Sequence, residues 1–158
     1  MRKIFLILFV LLLTGFAFAE ELCERVYVTR VIDGDTIEVL TKTDQKIKVR
    51  LIGIDTHELN SDKLLDQQWA KSERDYTKKY LEKKYVRLTF EMTPYDFYGR
   101  LLSYVFMENG ELFNRKIIFD GFAYYYNKYS FRREYMDLFR EAQESAIKRR
   151  AGFWVYYL

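Results

Sequence analysis

Residues 26–40 read VYVTRVIDGDTIEVL, and the fold follows from how that stretch is interpreted. Val26, Val28 and Val31-Ile32 lead into Asp33-Gly34, and apolar alternation resumes from Ile37 to Leu40, which is the pattern of two strands joined by a hairpin or sharp turn. Ile47, Val49 and Leu51 alternate with Lys48 and Arg50, so a third strand follows with one apolar and one polar face. Val86 to Phe90 and Leu101 to Phe106 return to strand character, and Asn109-Gly110 supplies a tight turn.

Between the third and fourth strands the period changes. From His57 to Lys84 charged residues dominate, while Leu65, Trp69, Tyr76 and Tyr80 recur at helical steps, with Ser61 or Asp62 as the expected cap. A short helix is expected from Leu112 to Asp120, stopped by Gly121. A last helix, roughly Arg132 to Arg150, aligns Tyr135, Phe139, Ala142 and Ala146, and Gly152 is expected to close it so that Phe153-Trp154 fold back. The expected class is mainly β with helices: a small closed barrel of five strands, the count of an oligonucleotide-binding barrel, decorated by about three α-helices.

The first nineteen residues read as an export signal. Arg2 and Lys3 precede an apolar run from Ile4 to Leu13, and Ala17-Phe18-Ala19 has the small-x-small pattern of a cleavage site. Cleavage near Ala19 would send the chain to the periplasm or outside the cell; a membrane association follows only if the signal stays uncleaved. Losing Arg2 and Lys3 takes 26 basic residues to 24 against 23 acidic ones, a net charge of +1. Attraction to a polyanion must then come from local arrangement, because the broad field of a strongly basic protein is missing. Residues 20–158 contain no repeat or flexible linker and are read as one domain. Cys23 is the sole cysteine, so an internal disulfide is excluded and a free thiol is expected.

The residues that carry chemistry fall at strand edges: Asp33-Gly34-Asp35-Thr36, then Arg50-Leu51-Ile52-Gly53-Ile54-Asp55-Thr56-His57-Glu58, then Tyr98-Gly99-Arg100. Each has an ordinary explanation on its own. Asp-Gly is a turn dipeptide, Asp55 to Glu58 matches a helix cap, Arg50 fits the polar face of its strand, and Tyr98-Gly99-Arg100 reads as an exposed turn. His57 is the sole histidine and is expected at the surface, which disfavours a histidine-based metal site. If the acid-bearing turns adjoin, however, crowded carboxylates call for a cation, and an all-oxygen donor set favours calcium or magnesium over zinc.

Taken together the three motifs resemble the staphylococcal (thermonuclease-like) nuclease family. The likeness runs from about Val26 to Trp154 and extends to Gly121-Phe122-Ala123 and Gly152-Phe153-Trp154. It implies a five-stranded oligonucleotide-binding barrel with three helices and a calcium-dependent enzyme that cleaves DNA and RNA. It further implies that Asp35, Asp55 and the Thr56 carbonyl hold the calcium, that Glu58 is the general base, and that Arg50 and Arg100 grip the phosphate, with Asp33 an acid less directly involved. The chemistry agrees, since guanidinium forks match phosphate geometry and a carboxylate can take the proton of an attacking water.

Tyr98 and Tyr129 are the candidates for stacking on exposed bases, although with 14 tyrosines in the chain Tyr124-Tyr125-Tyr126 also fit plain packing. Two positions depart from the family pattern. His57 replaces a proline that would preset the backbone before Glu58, and Phe97 stands where a lysine is common. The competing readings are a barrel of the same shape that binds nucleic acid without cutting it, and an exported adhesion domain that uses calcium only for stability. A general base beside two arginines argues against both. No obligate partner protein is implied, and a monomer is expected.

Overall fold

The computed structural model describes residues 23–157. The signal expected over residues 1–19 and the thiol of Cys23 lie outside that description. Strand β1 (Cys23–Val31) pairs antiparallel with β2 (Thr36–Leu40), setting Val31 opposite Ile37, and β2 pairs with β3 (Lys46–Leu51). The β3 strand runs parallel to β6 (Leu101–Met107), β6 lies antiparallel to β5 (Tyr85–Thr89), and β5 returns to β1, so the ring closes in the order β1-β2-β3-β6-β5. Closure leaves this sheet without a free edge.

Period-2 alternation decides what fills the ring. Val26, Val28, Ile37, Val39, Val49, Leu51, Val86, Leu88 and Val105 are buried, while Arg87 between two of them faces out. A register shift between Val28 and Arg30 bends β1, the local distortion by which a sheet turns to close.

A parallel pairing of β3 with β6 needs a long crossover. Helix α1 (Leu64–Leu81) and β5 supply it. The helix starts at Leu64, past the Ser61 or Asp62 cap expected from sequence, and its N-cap position, Lys63, makes no side-chain cap. Ser61 instead ties the turn ahead of the helix: its hydroxyl accepts the Lys63 N–H at 3.3 Å and donates to Asp66 at 3.0 Å. The buried line on α1 is Ala70, Glu73, Thr77 and Leu81, and Leu65, expected on the apolar stripe, is exposed. Because α1 begins well after Glu58, the Asp55 to Glu58 segment does not cap it.

Two further helices close one side, α2 (Phe113–Phe119) and α3 (Arg133–Arg149), followed by a 3₁₀ turn at Gly152–Tyr156. Asn114 of α2 is fully buried; its Oδ1 accepts the Val105 N–H at 2.8 Å and its Nδ2 donates to the Ile52 carbonyl at 2.9 Å, joining α2 to the barrel. On α3, Phe139, Ala142 and Ala146 are buried, as the periodicity predicts. The left-handed residue that ends α3 is Arg150, not Gly152. Gly152 serves another purpose: a Cβ there would lie 2.0 Å from the Gly121 carbonyl oxygen, so only glycine lets the two segments touch.

Two short strands carry no signal in the sequence. β4 (Ile54–Asp55) pairs with β7 (Tyr124–Tyr125), setting Asp55 opposite Tyr124. Two residues are too few for alternation to register.

Candidate active site

The barrel brings two acid-bearing turns side by side. Thr36 is registered with Arg50 across β2 and β3, and the Leu51 N–H donates to the Asp35 carbonyl at 2.9 Å. Gly34 makes the closeness possible, because a Cβ at that position would stand 2.6 Å from Thr56 Cγ2 and 3.1 Å from Glu73 Cβ.

Asp35 is the best-held of the acids. Its Oδ1 accepts the Thr36 hydroxyl at 3.0 Å, and its Oδ2 accepts the Thr56 N–H at 3.1 Å and the Thr56 hydroxyl at 3.0 Å. Arg50, with a side chain only 14% exposed, reaches both turns: Nη1 stands 2.8 Å from Asp35 Oδ2, and Nη2 donates to Asp55 Oδ1 at 3.1 Å. The Nη1 contact is a charge pair and not a hydrogen bond, since no N–H of Nη1 is lined up on an acceptor.

The local balance is negative. Burial, followed by the charge and hydrogen bond of Asp35, pushes the Asp33 carboxyl up to about 7. Burial also raises Asp55, and the charges of Asp35 and Glu58 add to it while Arg50 and Lys128 oppose it. Burial together with crowding of like charge is the condition that a hard dication relieves, and the donors at hand are carboxylate, hydroxyl and carbonyl oxygens. The residues therefore fit an oxygen-preferring ion. Among the described residues, no three His, Cys, Asp or Glu side chains already form a metal cage. Asp35 and Asp55 come together through Arg50; Glu58 is exposed beside them, its carboxylate without a hydrogen bond or ion pair among the described residues.

Arg100 is on a neighbouring loop, directly before Leu101, whose register partner is Val49 of β3. Its side chain is held by Asp96, with Nε donating to Oδ2 at 2.7 Å; Asp96 Oδ1 also accepts the Tyr98 and Arg100 N–H groups at 2.9 Å. Burial works against the Asp96 carboxylate, but these hydrogen bonds and the Arg100 charge outweigh it and lower its pKa. The Arg100 guanidinium lies 5.5 Å over the Tyr98 ring, and Tyr98 itself is 85% exposed. Tyr129 is 70% exposed on a different loop, beside Tyr126. Tyr124 and Tyr125 are packing residues, against Phe153 and Phe139 respectively.

His57 corrects the surface expectation. Its side chain is 9% exposed, Nδ1 lies 2.6 Å from Glu73 Oε1, and Nε2 lies 3.2 Å from the Tyr124 hydroxyl. Burial pulls the imidazole pKa down, but the hydrogen bond and charge of Glu73 more than offset this and the net shift is upward; burial raises Glu73, with His57 opposing. The sequence reading missed Glu73, Asp96 and Lys128. A signal existed for the first, because Glu73 interrupts the apolar line between Trp69 and Tyr76 at helical spacing. Asp96 and Lys128 stand in polar loops, where nothing local distinguishes them.

The chain matches the profile of the family described as staphylococcal nuclease homologue over residues 48–156. It is 39% identical to a thermonuclease of Staphylococcus intermedius over 131 residues, covering 83% of this chain and 76% of that protein. A thermonuclease of Staphylococcus hyicus is 36% identical over 135 residues, with the same two shares. An uncharacterized endonuclease of Haemophilus influenzae is 29% identical over 153 residues, 97% of this chain and 79% of that protein.

Proposed function

The chain belongs to the staphylococcal nuclease homologue family, and from that premise we propose that it is a phosphodiester hydrolase that cleaves DNA and RNA with calcium as cofactor, after export from the cytoplasm. The observation that carries the reading is Arg50, whose guanidinium spans the carboxylates of Asp35 and Asp55 from a nearly buried position. The export element of the proposal rests on the Arg2-Lys3 start, the apolar run and Ala17-Phe18-Ala19.

Asp35 and Asp55, with the Thr56 carbonyl, would hold the ion, and calcium's six to eight oxygens leave room for water and a phosphate oxygen. When bound, calcium supplies positive charge against the phosphate oxygens and favours loss of a proton from water. The protein's own groups do the rest. Arg50 offers a fork of donors to the phosphate as charge grows in the transition state. Arg100, positioned on the adjoining loop by the bond from its Nε to Asp96, offers a second guanidinium. Glu58 is exposed and unengaged among the described residues, so its carboxylate can take a proton from the attacking water. Tyr98 and Tyr129 present open ring faces on which bases of any identity can stack, consistent with a substrate range that includes both nucleic acids.

The test is incubation of protein beginning at Glu20 with plasmid DNA and with RNA, in calcium and then in excess chelator. Both substrates are cut in calcium and neither in chelator. Glu58→Ala and Arg100→Ala each slow cleavage on the order of 10²-fold or more. Degradation that persists in chelator refutes the metal role, and variants as fast as the parent show the site to be elsewhere.

A further inference from the structure

Glu73 is a carboxylate on the apolar line of a helix, 0% exposed, between Ala70 and Thr77. A charge in that place is costly unless its lone pairs are used. Both oxygens are used on one residue: Oε2 accepts the His57 N–H at 2.8 Å, and Oε1 lies 2.6 Å from His57 Nδ1. The ring is held on its other side as well, by the Tyr124 hydroxyl at Nε2 and by the edge-on ring of Phe153 at 5.4 Å.

One side chain of α1 thus grips both the backbone and the ring of the residue between Thr56 and Glu58. One turn further along the helix, Thr77 donates to the Gly34 carbonyl at 2.7 Å, between Asp33 and Asp35. The same buried face of α1 is therefore fastened to both acid-bearing turns. A buried ion pair is weak evidence for stability, because an apolar pair of similar size is often as stable. What it does supply is geometry.

We propose that Glu73 and His57 form a positioning clamp that fixes the segment from Asp55 to Glu58 against α1 and so sets where the Glu58 carboxylate stands relative to Asp35, Asp55 and Arg50. The clamp fixes this segment by side-chain contacts, whereas a proline would preset φ and have no N–H to donate to Glu73. This inference rests on the hydrolase reading. Misplacing a catalytic group slows the reaction without weakening substrate capture.

The experiment measures kcat and KM for cleavage of single-stranded DNA in saturating calcium, together with amide hydrogen exchange over residues 56–60. Glu73→Ala lowers kcat by ~10- to 100-fold with KM little changed, and speeds exchange at residues 57–60 while the barrel amides hold. Glu73→Gln keeps an oxygen for the His57 N–H and a donor for Nδ1, so it stays close to the parent in both readouts. A folded Glu73→Ala that cuts at the parental kcat overturns the clamp, as does a Gln variant as slow as Ala. Should Glu73→Ala fail to fold, His57→Ala removes only the ring's half of the clamp and must still lower kcat; an unchanged kcat overturns the proposal. A parent that does not cut in calcium at all refutes the hydrolase reading instead, and exchange then decides the clamp alone.

Discussion

At the level of single residues, the charge at the barrel end is a contest between Arg50 and the acids around it. Asp33 is where the contest is measurable. Burial and the neighbouring Asp35 raise its pKa from 3.8 to about 7. The folded state therefore keeps a proton on Asp33 that the unfolded chain has already released between those values, and stability of the metal-free protein falls as pH rises from 3.8 to about 7. Asp33→Asn keeps an oxygen for the Asp35 N–H and removes the charge. In chelator, the variant should exceed the parent in stability by up to about 4 kcal/mol at pH 8, with the gain vanishing near pH 4. Thermal unfolding across that range checks it, and a gain that grew toward acid would show the sign to be wrong. Asp33, Asp35, Arg50 and Asp55 were legible in the sequence because each lies within or a few residues from a strand, β1, β2 or β3, whose alternation is plain. His57 was not, since its burial depends on Glu73, Tyr124 and Phe153, which are distant in the chain.

At the level of elements, the loop between β5 and β6 owes its shape to Asp96, which accepts three hydrogen bonds from Tyr98 and Arg100. Asp96→Ala releases all three. Amide exchange at Tyr98 and Arg100 should rise, and cleavage should slow by ~10-fold or more as Arg100 loses its place. Unchanged exchange at those two amides would show that Asp96 does not order the loop. The pair is a carboxylate with a lowered pKa, so its contribution is present above the ordinary Asp range and is lost as pH falls through the lower folded value. Helix α1 shows where local pattern fails. Its apolar stripe is real at Trp69, Tyr76 and Tyr80, but its start moved to Leu64 because the preceding turn is tied by Ser61, and its most consequential buried residue is charged. The β4–β7 pair carries too few residues for any periodicity, although it places Asp55 beside Tyr124.

For the molecule as a whole, the barrel acts as a rigid frame that brings loops from different parts of the chain to one end. Its closure was readable from five alternating segments and a helical interruption; the parallel β3–β6 contact that closes it was not, because strand partners far apart in sequence leave no local mark. Asn114 is the polar link between frame and helices. Asn114→Ala leaves the buried Val105 N–H and Ile52 carbonyl without their partner and should cost on the order of 2–5 kcal/mol, read by denaturant unfolding. A loss too small to detect would mean that the helices dock without it.

Whether phosphodiester bonds are cut where Asp35, Arg50 and Asp55 meet is decided by a crystal structure of the protein with calcium and a slowly cleaved phosphorothioate dinucleotide. The ion should lie against the Asp35 and Asp55 carboxylates, with the phosphate oxygens about 3 Å from the Arg50 guanidinium. An ion and nucleotide bound together on another face, with Arg50 still spanning the two carboxylates, would contradict it.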